Sequence, residues 1–371
     1  MTERQRGTAI SGGNGRNGQQ ARLEAEVAAD TAAVEEERPS IYRRIATTPV
    51  IVTFLFLVGV MTAFSIASPG TFNTTSNITQ LAQNVAILTV VSVGTTFVIA
   101  TAGIDLSIPS GIVLGEVFAV KALSFVNVGS GTAVDVQADA TKLTYLLVGL
   151  AGSLMAGLLI GVVNGFTVGY MLIPPMLATL GTLGAGLGVA LLMQNGVNIA
   201  TYALNPVATG HLIPSISNLV LIALVVVVLG YVGLHYTVFG RHTLAIGSNE
   251  EAARRVGIKV ERHLLKVYVV GGLASGFAGF LSVAYFSTTS VAGHSTDNLQ
   301  AITAVALGGT SLFGGIANVL GSVIGVWIPA VLQNGFVILG VQPYWQMVAV
   351  GIVLVLAVWL DQVRRRSRSR R

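Results

Sequence analysis

Long apolar stretches follow one another from Pro49 almost to the end of the chain, and short polar connections separate them. A helix needs roughly 20 apolar residues to cross the hydrocarbon core of a bilayer. The predicted fold class is therefore an all-α polytopic membrane protein. The pattern indicates about ten spans, with a range of nine to eleven, near residues 50–68, 78–100, 107–126, 144–169, 176–194, 216–236, 265–288, 299–316, 318–341 and 345–362. The Gly-rich eighth stretch is the one expected to be a broken or re-entrant helix.

Polar segments flank this apolar region. We predict a disordered polar tail over residues 1–45, a transmembrane domain over 46–363 with a polar connection at 237–264, and a basic tail over 364–371. Only 10% of the residues are charged and 53% are hydrophobic, whereas a soluble domain carries about 25% charged residues. Lipid is therefore the expected solvent for most of the surface. The chain has no cysteine, which excludes disulfides and thiolate metal sites.

Nineteen of the 21 lysines and arginines fall in three segments, at 1–44, 241–266 and 364–371. Each segment abuts an apolar stretch, and positive charge beside membrane spans marks the cytoplasmic side. With ten spans, both termini and the 237–264 connection lie on that one side. The pattern therefore predicts a multi-pass protein of the cytoplasmic (inner) membrane with cytoplasmic termini. Nucleic-acid binding is not expected, because basic clusters would be its only support.

Small residues recur at every fourth position of the fourth stretch. This spacing places them on one face of a helix, where they allow a neighbouring backbone to approach closely. They are Gly149, Ser153, Gly157, Gly161, Gly165 and Gly169, and the spacing returns at Gly184/Gly188, Gly272/Gly276 and Gly321/Gly325. Packing within the chain is the favoured interpretation, and contact with another subunit is the alternative for one of these stripes.

The polar connection at 237–264 contains a candidate short helix on the cytoplasmic face. Asn249 can cap its first turn, which holds two glutamates, and Gly257 is a plausible stop. Composition alone is also typical of an ordinary solvated loop helix. The order of residues favours a docking helix, because Glu251, Ala252, Ala253 and then Gly257 match the E-A-A-x-x-x-G pattern of ABC-importer permeases.

From about residue 50 to 362 the chain resembles permeases of the ribose/xylose/galactose type of ABC importer. Four blocks carry the resemblance: Gly103-Ile104-Asp105-Leu106-Ser107; Gly161-Val162-Val163-Asn164-Gly165 leading to residues 173–182; Gly240-Arg241 to Gly257-Ile258; and Ala301-Ile302 through Gly308-Gly309-Thr310-Ser311 to Gly314-Gly315, followed by Asn334-Gly335. The chain departs from the family pattern at Pro109, Leu187, Asn298 and Gln300, which leaves the substrate open.

The resemblance implies a permease subunit that moves a simple sugar, a ribose-like pentose or a hexose, and is not itself an enzyme. A separate cytoplasmic subunit would bind ATP, an extracytoplasmic sugar-binding protein would deliver the cargo, and a second permease copy, as a homodimer or a paralogous pair, would complete the pathway. Membrane lipid is the remaining partner. The implied ATPase-coupling residues are Arg241, Asn249, Glu250, Glu251, Ala252, Ala253 and Gly257.

Polar residues inside the apolar stretches are candidates for the translocation path. Asp105 is an acid whose ion is costly in lipid unless it is paired or hydrated. It could brace a helix break, line the path or lie at the interface. Glu116 is a second such acid and has no match in the family motif. The uncharged groups could guide a hydroxyl-rich solute or bond between helices. The candidates are Gly103, Asp105, Ser107, Asn164, Thr179, Gly181, Thr182, Gly308, Gly309, Thr310, Ser311 and Asn334.

Other chemistry finds little support in the sequence. There is no G-x-x-x-x-G-K-[ST] motif, so energy is expected from a partner, and the five histidines show no metal-ligand spacing, so no metal or cofactor is expected.

The same architecture could import a signalling sugar derivative, a nucleoside or a branched-chain amino acid. An ion-coupled secondary transporter is a further alternative, but it needs several buried charged residues, and only Asp105 and Glu116 are candidates.

Overall fold

The computed structural model describes residues 49–126, 142–213, 216–342 and, except for positions 350, 354, 357 and 358, residues 344–359. The predicted tails at 1–45 and 364–371 and nearly all of the connection at 127–143 lie outside the described residues. The helices assigned up to residue 338 within the described part are α1 (Pro49–Ala67), α2 (Thr75–Ala100), α3 (Ile108–Val126), α4 (Lys142–Gly169), α5 (Pro175–Met193), α6 (Asn205–Thr209), α7 (Asn218–Tyr236), α8 (Val238–Ser248), α9 (Glu250–Arg255), α10 (Val260–Phe286), α11 (Asp297–Leu307) and α12 (Val319–Ile338).

Eight of these helices are long and apolar enough to cross a membrane, namely α1, α2, α3, α4, α5, α7, α10 and α12. The fold is therefore an all-α polytopic membrane protein, as predicted. The tenth predicted span is represented by a shorter apolar helix at Tyr344–Val353. Within the described residues the β-structure is limited to isolated bridges such as Ala200↔Thr288.

The eighth predicted span is broken, as its glycines indicated. Helix α11 has 11 residues and ends at Leu307, and the chain then runs without helix from Gly308 to Asn318. Gly309 has a φ of +89°, a left-handed conformation that glycine adopts without strain. A Cβ on Gly308 would overlap the backbone of Gly321 in α12, so the break is also packed too closely for a side chain. An 11-residue helix spans only about 16 Å. The rest of this segment is irregular backbone that is mostly buried or half-buried, with Phe313 and Ile316 exposed.

The stripe of small residues on α4 packs within the chain, against α10. A Cβ built on Gly161 would lie 2.6 Å from the carbonyl oxygen of Tyr268, and one on Gly165 would lie 2.7 Å from the Cα of Leu265. Ser153 donates a hydrogen bond of 2.5 Å to the carbonyl of Gly276. Close backbone approach supplies the dispersion contacts that hold helices together in lipid, where no hydrophobic drive acts between them. For this stripe the favoured interpretation is confirmed.

The two glycines at 184 and 188 on α5 behave differently, because nothing lies within 4 Å of a Cβ built on either one. This face of α5 has no partner among the described residues. Neighbouring apolar side chains on α5 are also exposed, such as Leu192 at 79%. Lipid or a second protein is the expected cover for this surface.

Helices α2, α3 and α10 form the centre of the bundle. In the most apolar part of each helix, 83% of the residues of α2 and 72% of those of α3 and of α10 are buried. α1, α5 and α7 surround them and present large apolar side chains outward, as a lipid-facing surface requires. α10 begins at Val260, five residues earlier than predicted, and α8 follows α7 almost without a break. The polar connection is therefore more helical than its composition indicated.

Contacts define two ends of the bundle. At one end, which we call the α9 end, Gly315 donates a 3.0 Å hydrogen bond to the last carbonyl of α2, Ala100, and packs against Ser248. At the opposite end, the far end, Thr201 donates a 2.9 Å hydrogen bond to Ser287 after α10. The basic residues of 241–262 lie at the α9 end.

Candidate functional site

Helix α9 is the short helix predicted in the polar connection. Asn249 caps it, since its side-chain oxygen accepts a 2.9 Å hydrogen bond from the backbone N–H of Ala252. Glu250 and Glu251 occupy the first turn, and two arginines the last, so both charge pairs complement the helix dipole. Gly257 follows with a φ of +88° and lets the chain turn toward α10. The predicted cap and stop are thus confirmed.

One face of α9 is fixed to the membrane domain and the other is open. Ala253 is buried and packs in a small apolar cluster with Ile246 of α8 and Val260 of α10. Arg254 forms ion pairs with Glu250 and with Glu261 of α10. Its hydrogen bonds to Glu261 and Glu250 raise the pKa of Arg254 above its usual range. These contacts attach α9 to the start of α10.

The open face of α9 carries Glu251, Arg255 and Val256. Glu251 and Arg255 pair with each other but remain about three-quarters exposed, at 75% and 76%. Val256 is 77% exposed beside them. Arg241, the first predicted coupling residue, is exposed on α8. This face therefore combines two charged side chains with one exposed apolar side chain.

Helix α8 contacts both irregular segments of the membrane domain. A Cβ on Gly247 would overlap the carbonyl oxygen of Ala100, where α2 ends, and would lie 2.6 Å from the backbone nitrogen of Gly315. Gly314, with a φ of +79°, packs against the Gly247 carbonyl. The end of α8 is thus wedged between the break after α2 and the irregular segment 308–318.

The break between α2 and α3 is held by a chain of buried hydrogen bonds. Asp105, 4% exposed, accepts hydrogen bonds from the backbone N–H (2.8 Å) and hydroxyl (2.6 Å) of Ser107. Asn164 of α4 donates from Nδ2 to the Ser107 hydroxyl (2.7 Å), and Thr182 of α5 donates to Asn164 Oδ1 (2.6 Å). Four predicted residues are therefore joined in one network that ties α4 and α5 to the break. The geometry fits the interpretation of Asp105 as a brace.

Two further candidates lie beside this network. Thr179 donates to the carbonyls of Pro175 (2.8 Å) and Ile104 (3.3 Å). Gly103 is close to the Tyr268 hydroxyl, which a Cβ would approach to 2.7 Å, so only glycine fits there. These contacts hold the break between α2 and α3 against α5 and α10.

The candidates at 308–311 form a second group within the break after α11. Gly308 packs against α12, and the Thr310 hydroxyl accepts a 3.0 Å hydrogen bond from the N–H of Asn318. Ser311 donates its N–H to Ile316 at 2.9 Å and so closes the turn. These bonds satisfy backbone groups that a broken helix leaves without partners.

Two candidates stand apart from both groups. Asn334 lies near the far end, where its amide exchanges two hydrogen bonds, of 2.8 and 3.0 Å, with the amide of Asn77 in α2. Gly181 is exposed on the open face of α5. The structure therefore does not bring either residue into the networks at the helix breaks.

A buried charge cluster near the far end was largely missed by the sequence reasoning. Glu116, fully buried in α3, accepts hydrogen bonds from the Ser282 hydroxyl (2.7 Å), the Ser290 N–H (2.8 Å) and His294 Nε2 (3.0 Å). His294 Nδ1 in turn contacts Asp297 at 2.7 Å. The sequence signal was Glu116 alone, an intramembrane acid that requires a partner. Its partner is 178 positions away, so no local pattern could identify it.

Burial alone would lower the pKa of His294, which lies in the connection between α10 and α11. Hydrogen bonds to Asp297 and Glu116, together with their negative charge, raise the pKa of His294 to about 10. The imidazole is therefore cationic at neutral pH and donates from both nitrogens. This cation holds two carboxylates together inside the protein.

The described residues thus combine eight helices of membrane-spanning length, two helix breaks, and the end of α8 packed against both breaks. Residues 77–358 match the family described as branched-chain amino acid transport system, permease component. The chain belongs to this family.

Several of the curated relatives are sugar permeases by name. The ribose import permease of Escherichia coli K12 is 31% identical over 328 residues, which cover 85% of this chain and 93% of that protein. The fructose import permease of Rhizobium meliloti is 30% identical over 327 residues, covering 85% and 86%. The xylose transport system permease of Escherichia coli K12 is 28% identical, covering 85% and 92%. No solved structure shows a significant match. The predicted resemblance to sugar-type ABC permeases is confirmed.

Proposed function

We propose that this chain is the membrane-spanning subunit of an ATP-driven importer that moves a simple sugar, a pentose or hexose, across the cytoplasmic membrane. Membership in the permease family supports the transport class, and the names of the ribose, fructose and xylose permeases support the substrate class. The α9 end faces the cytoplasm in this proposal, because it carries the basic residues between 241 and 262.

One observation carries the proposal: the unit formed by α8 and α9 is attached to both broken segments of the membrane domain. A partner that pushes on the open face of α9 moves Ala253 and Arg254, and through them α10. Gly247 transmits the same movement to Ala100 and to the segment at 308–318. Helix breaks are the places where a bundle can change conformation without unfolding whole helices.

The proposed cycle is alternating access. A separate ATP-binding subunit docks on Glu251, Arg255 and Val256, and its closure on ATP draws α8 and α9 with it. The far end then opens to receive sugar from an extracytoplasmic binding protein. A second copy of the permease completes the pathway, and the uncovered glycine face of α5 is a surface that such a copy could cover.

The docking step is tested by the variant Glu251→Arg, matched with Gln80→Arg. Both place an arginine at an exposed position, but Gln80 lies at the far end, at the start of α2. The expected result is that Glu251→Arg no longer co-purifies with the ATP-binding subunit of the same transport system and loses ATP-dependent uptake in proteoliposomes. Gln80→Arg should keep both. Equal co-purification of the two variants would contradict docking at α9.

Uptake assays distinguish the alternatives. Proteoliposomes that contain the permease, the ATP-binding subunit and the binding protein are supplied with labelled pentoses, hexoses, a nucleoside and leucine. Sugar uptake that requires ATP supports the proposal. Uptake of leucine or the nucleoside in place of sugar would reassign the substrate, and uptake without the ATP-binding subunit would favour an ion-coupled transporter.

A further inference from the structure

A cavity of about 300 Å³ lies among α2, the connection between α10 and α11, α11 and α12. Ligand sites in proteins are clefts of roughly 300–1,000 Å³, so the space suits one small solute. Asn84 on α2 and Gln333 on α12 line it from opposite sides. They lie nine and five residues inside the far ends of their helices, which places the cavity roughly 7–14 Å below the far end.

The walls are polar at a depth where a spanning helix is normally apolar. Besides Asn84 and Gln333, the cavity is lined by His294, Thr296, Asp297 and Gln300. Neither the Asn84 nor the Gln333 side chain has a hydrogen bond to a described residue, and both are exposed to the cavity. Both amides are therefore open to water or to a polar solute, because each offers donors and an acceptor.

Two members of the charge cluster, His294 and Asp297, form part of the remaining wall of the cavity. His294 contacts Asp297 through Nδ1 and Glu116 through Nε2, and both His294 and Asp297 line the cavity. The cluster contributes two acidic side chains and one imidazole. No lysine or arginine is among the residues described as lining the cavity. An anionic solute would therefore find no basic side chain other than His294 among the described lining residues.

Both imidazole nitrogens are already engaged, so the cluster has no free ligand nitrogen to offer a metal ion. Carboxylate oxygen and amide groups, beside the half-exposed ring of Phe286, suit a ring that carries many hydroxyls, because hydroxyls both donate and accept. We propose that this cavity binds one molecule of a neutral polyhydroxylated solute within each permease chain. The inference rests on the proposed sugar function and adds a site inside the single chain.

The test uses the absence of native cysteine. Ala330 lines the cavity with a small apolar side chain, so Ala330→Cys introduces a single reactive thiol without removing a polar contact. Ser76→Cys places the same thiol at an exposed far-end position that is not among the described lining residues. Purified full-length chains in nanodiscs are labelled with a water-soluble methanethiosulfonate reagent, with and without a panel of pentoses and hexoses.

A sugar at about ten times its dissociation constant should slow labelling of Ala330→Cys about tenfold, because the fraction of unoccupied sites falls by the factor 1 + [L]/Kd. Labelling of Ser76→Cys should not change. Adding Asn84→Leu to Ala330→Cys should remove the protection, whereas Gln83→Leu, on the neighbouring residue that is not among the described lining residues, should retain it. Both double variants should keep the unfolding midpoint of the parent, because neither lost amide has a described partner.

The outcomes separate this inference from the proposed function. Absence of protection by every sugar, in protein that still supports ATP-dependent sugar uptake, would overturn the cavity site and leave the sugar function intact. Protection by the amino or phosphorylated counterpart of a sugar, but not by the sugar itself, would overturn the ligand class. Protection that survives Asn84→Leu would show that binding occurs elsewhere.

Discussion

The contact between α4 and α10 gives the sharpest prediction about stability, through the variant Gly161→Ala. The new Cβ would lie 2.6 Å from the carbonyl oxygen of Tyr268, against about 3.3 Å for the closest ordinary carbon–oxygen contact. The oxygen belongs to the backbone of a buried helix and cannot rotate away. The helices must therefore separate by several tenths of an ångström along the seam, and overpacking of this kind costs about 1–3 kcal/mol.

Gly184→Ala is the matched control, because it makes the same change in a spanning helix where nothing lies within 4 Å of the new Cβ. Alanine favours a helix over glycine by about 1 kcal/mol, and this gain is common to both variants. The difference between them isolates the contact, so Gly161→Ala should be less stable than Gly184→Ala by about 1–3 kcal/mol.

The assay is unfolding by sodium dodecyl sulfate in mixed micelles, followed by tryptophan fluorescence, which the three native tryptophans permit. The unfolding curve of each variant is fitted with its own folded baseline, so that a change in the cooperativity of unfolding is visible. Equal unfolding free energies for Gly161→Ala and Gly184→Ala would refute the argument that the backbones of α4 and α10 touch.

Three further predictions concern the breaks, the docking helix and the charge cluster. Asn164→Leu removes two buried hydrogen bonds and should lower the unfolding free energy by about 1–3 kcal/mol in the same titration. Arg254→Ala should change the unfolding free energy by less than about 1 kcal/mol, because the ion pairs of Arg254 are exposed. The same variant should reduce ATP-dependent uptake more than the control Arg255→Ala, because the ion pair of Arg255 does not reach α10. The pKa of His294 is raised from 6.5 to about 10 in the folded chain, so its stabilisation is complete below pH 6.5 and disappears as the pH rises through about 10. The unfolding free energy should therefore fall between pH 7 and 10, and less so in His294→Gln; equal pH dependence would contradict the cluster.

Features that depend on neighbouring residues could be predicted from the sequence. The length of the apolar stretches predicted the spanning helices because a bilayer has a fixed thickness. The cap at Asn249 and the stop at Gly257 followed from backbone rules that act over a few residues. The weak eighth span was recognised because glycines 308 and 309 interrupt its helix. Boundaries were less exact: α10 begins at Val260, inside the connection judged to be polar.

Which residues meet was decided only by the tertiary structure. The sequence showed that α4 carries a small-residue stripe but not that α10 covers it, while the similar glycines at 184 and 188 remain open. It grouped Asn334 with the path residues, although Asn334 pairs with Asn77 far from either break. The sequence identified Glu116 as an acid inside an apolar stretch but did not identify the His294 imidazole that pairs with it. Periodicity and capping depend on neighbours within a turn or two, whereas helix partners and buried ion pairs depend on packing between segments more than 100 residues apart, and only the folded bundle specifies that packing.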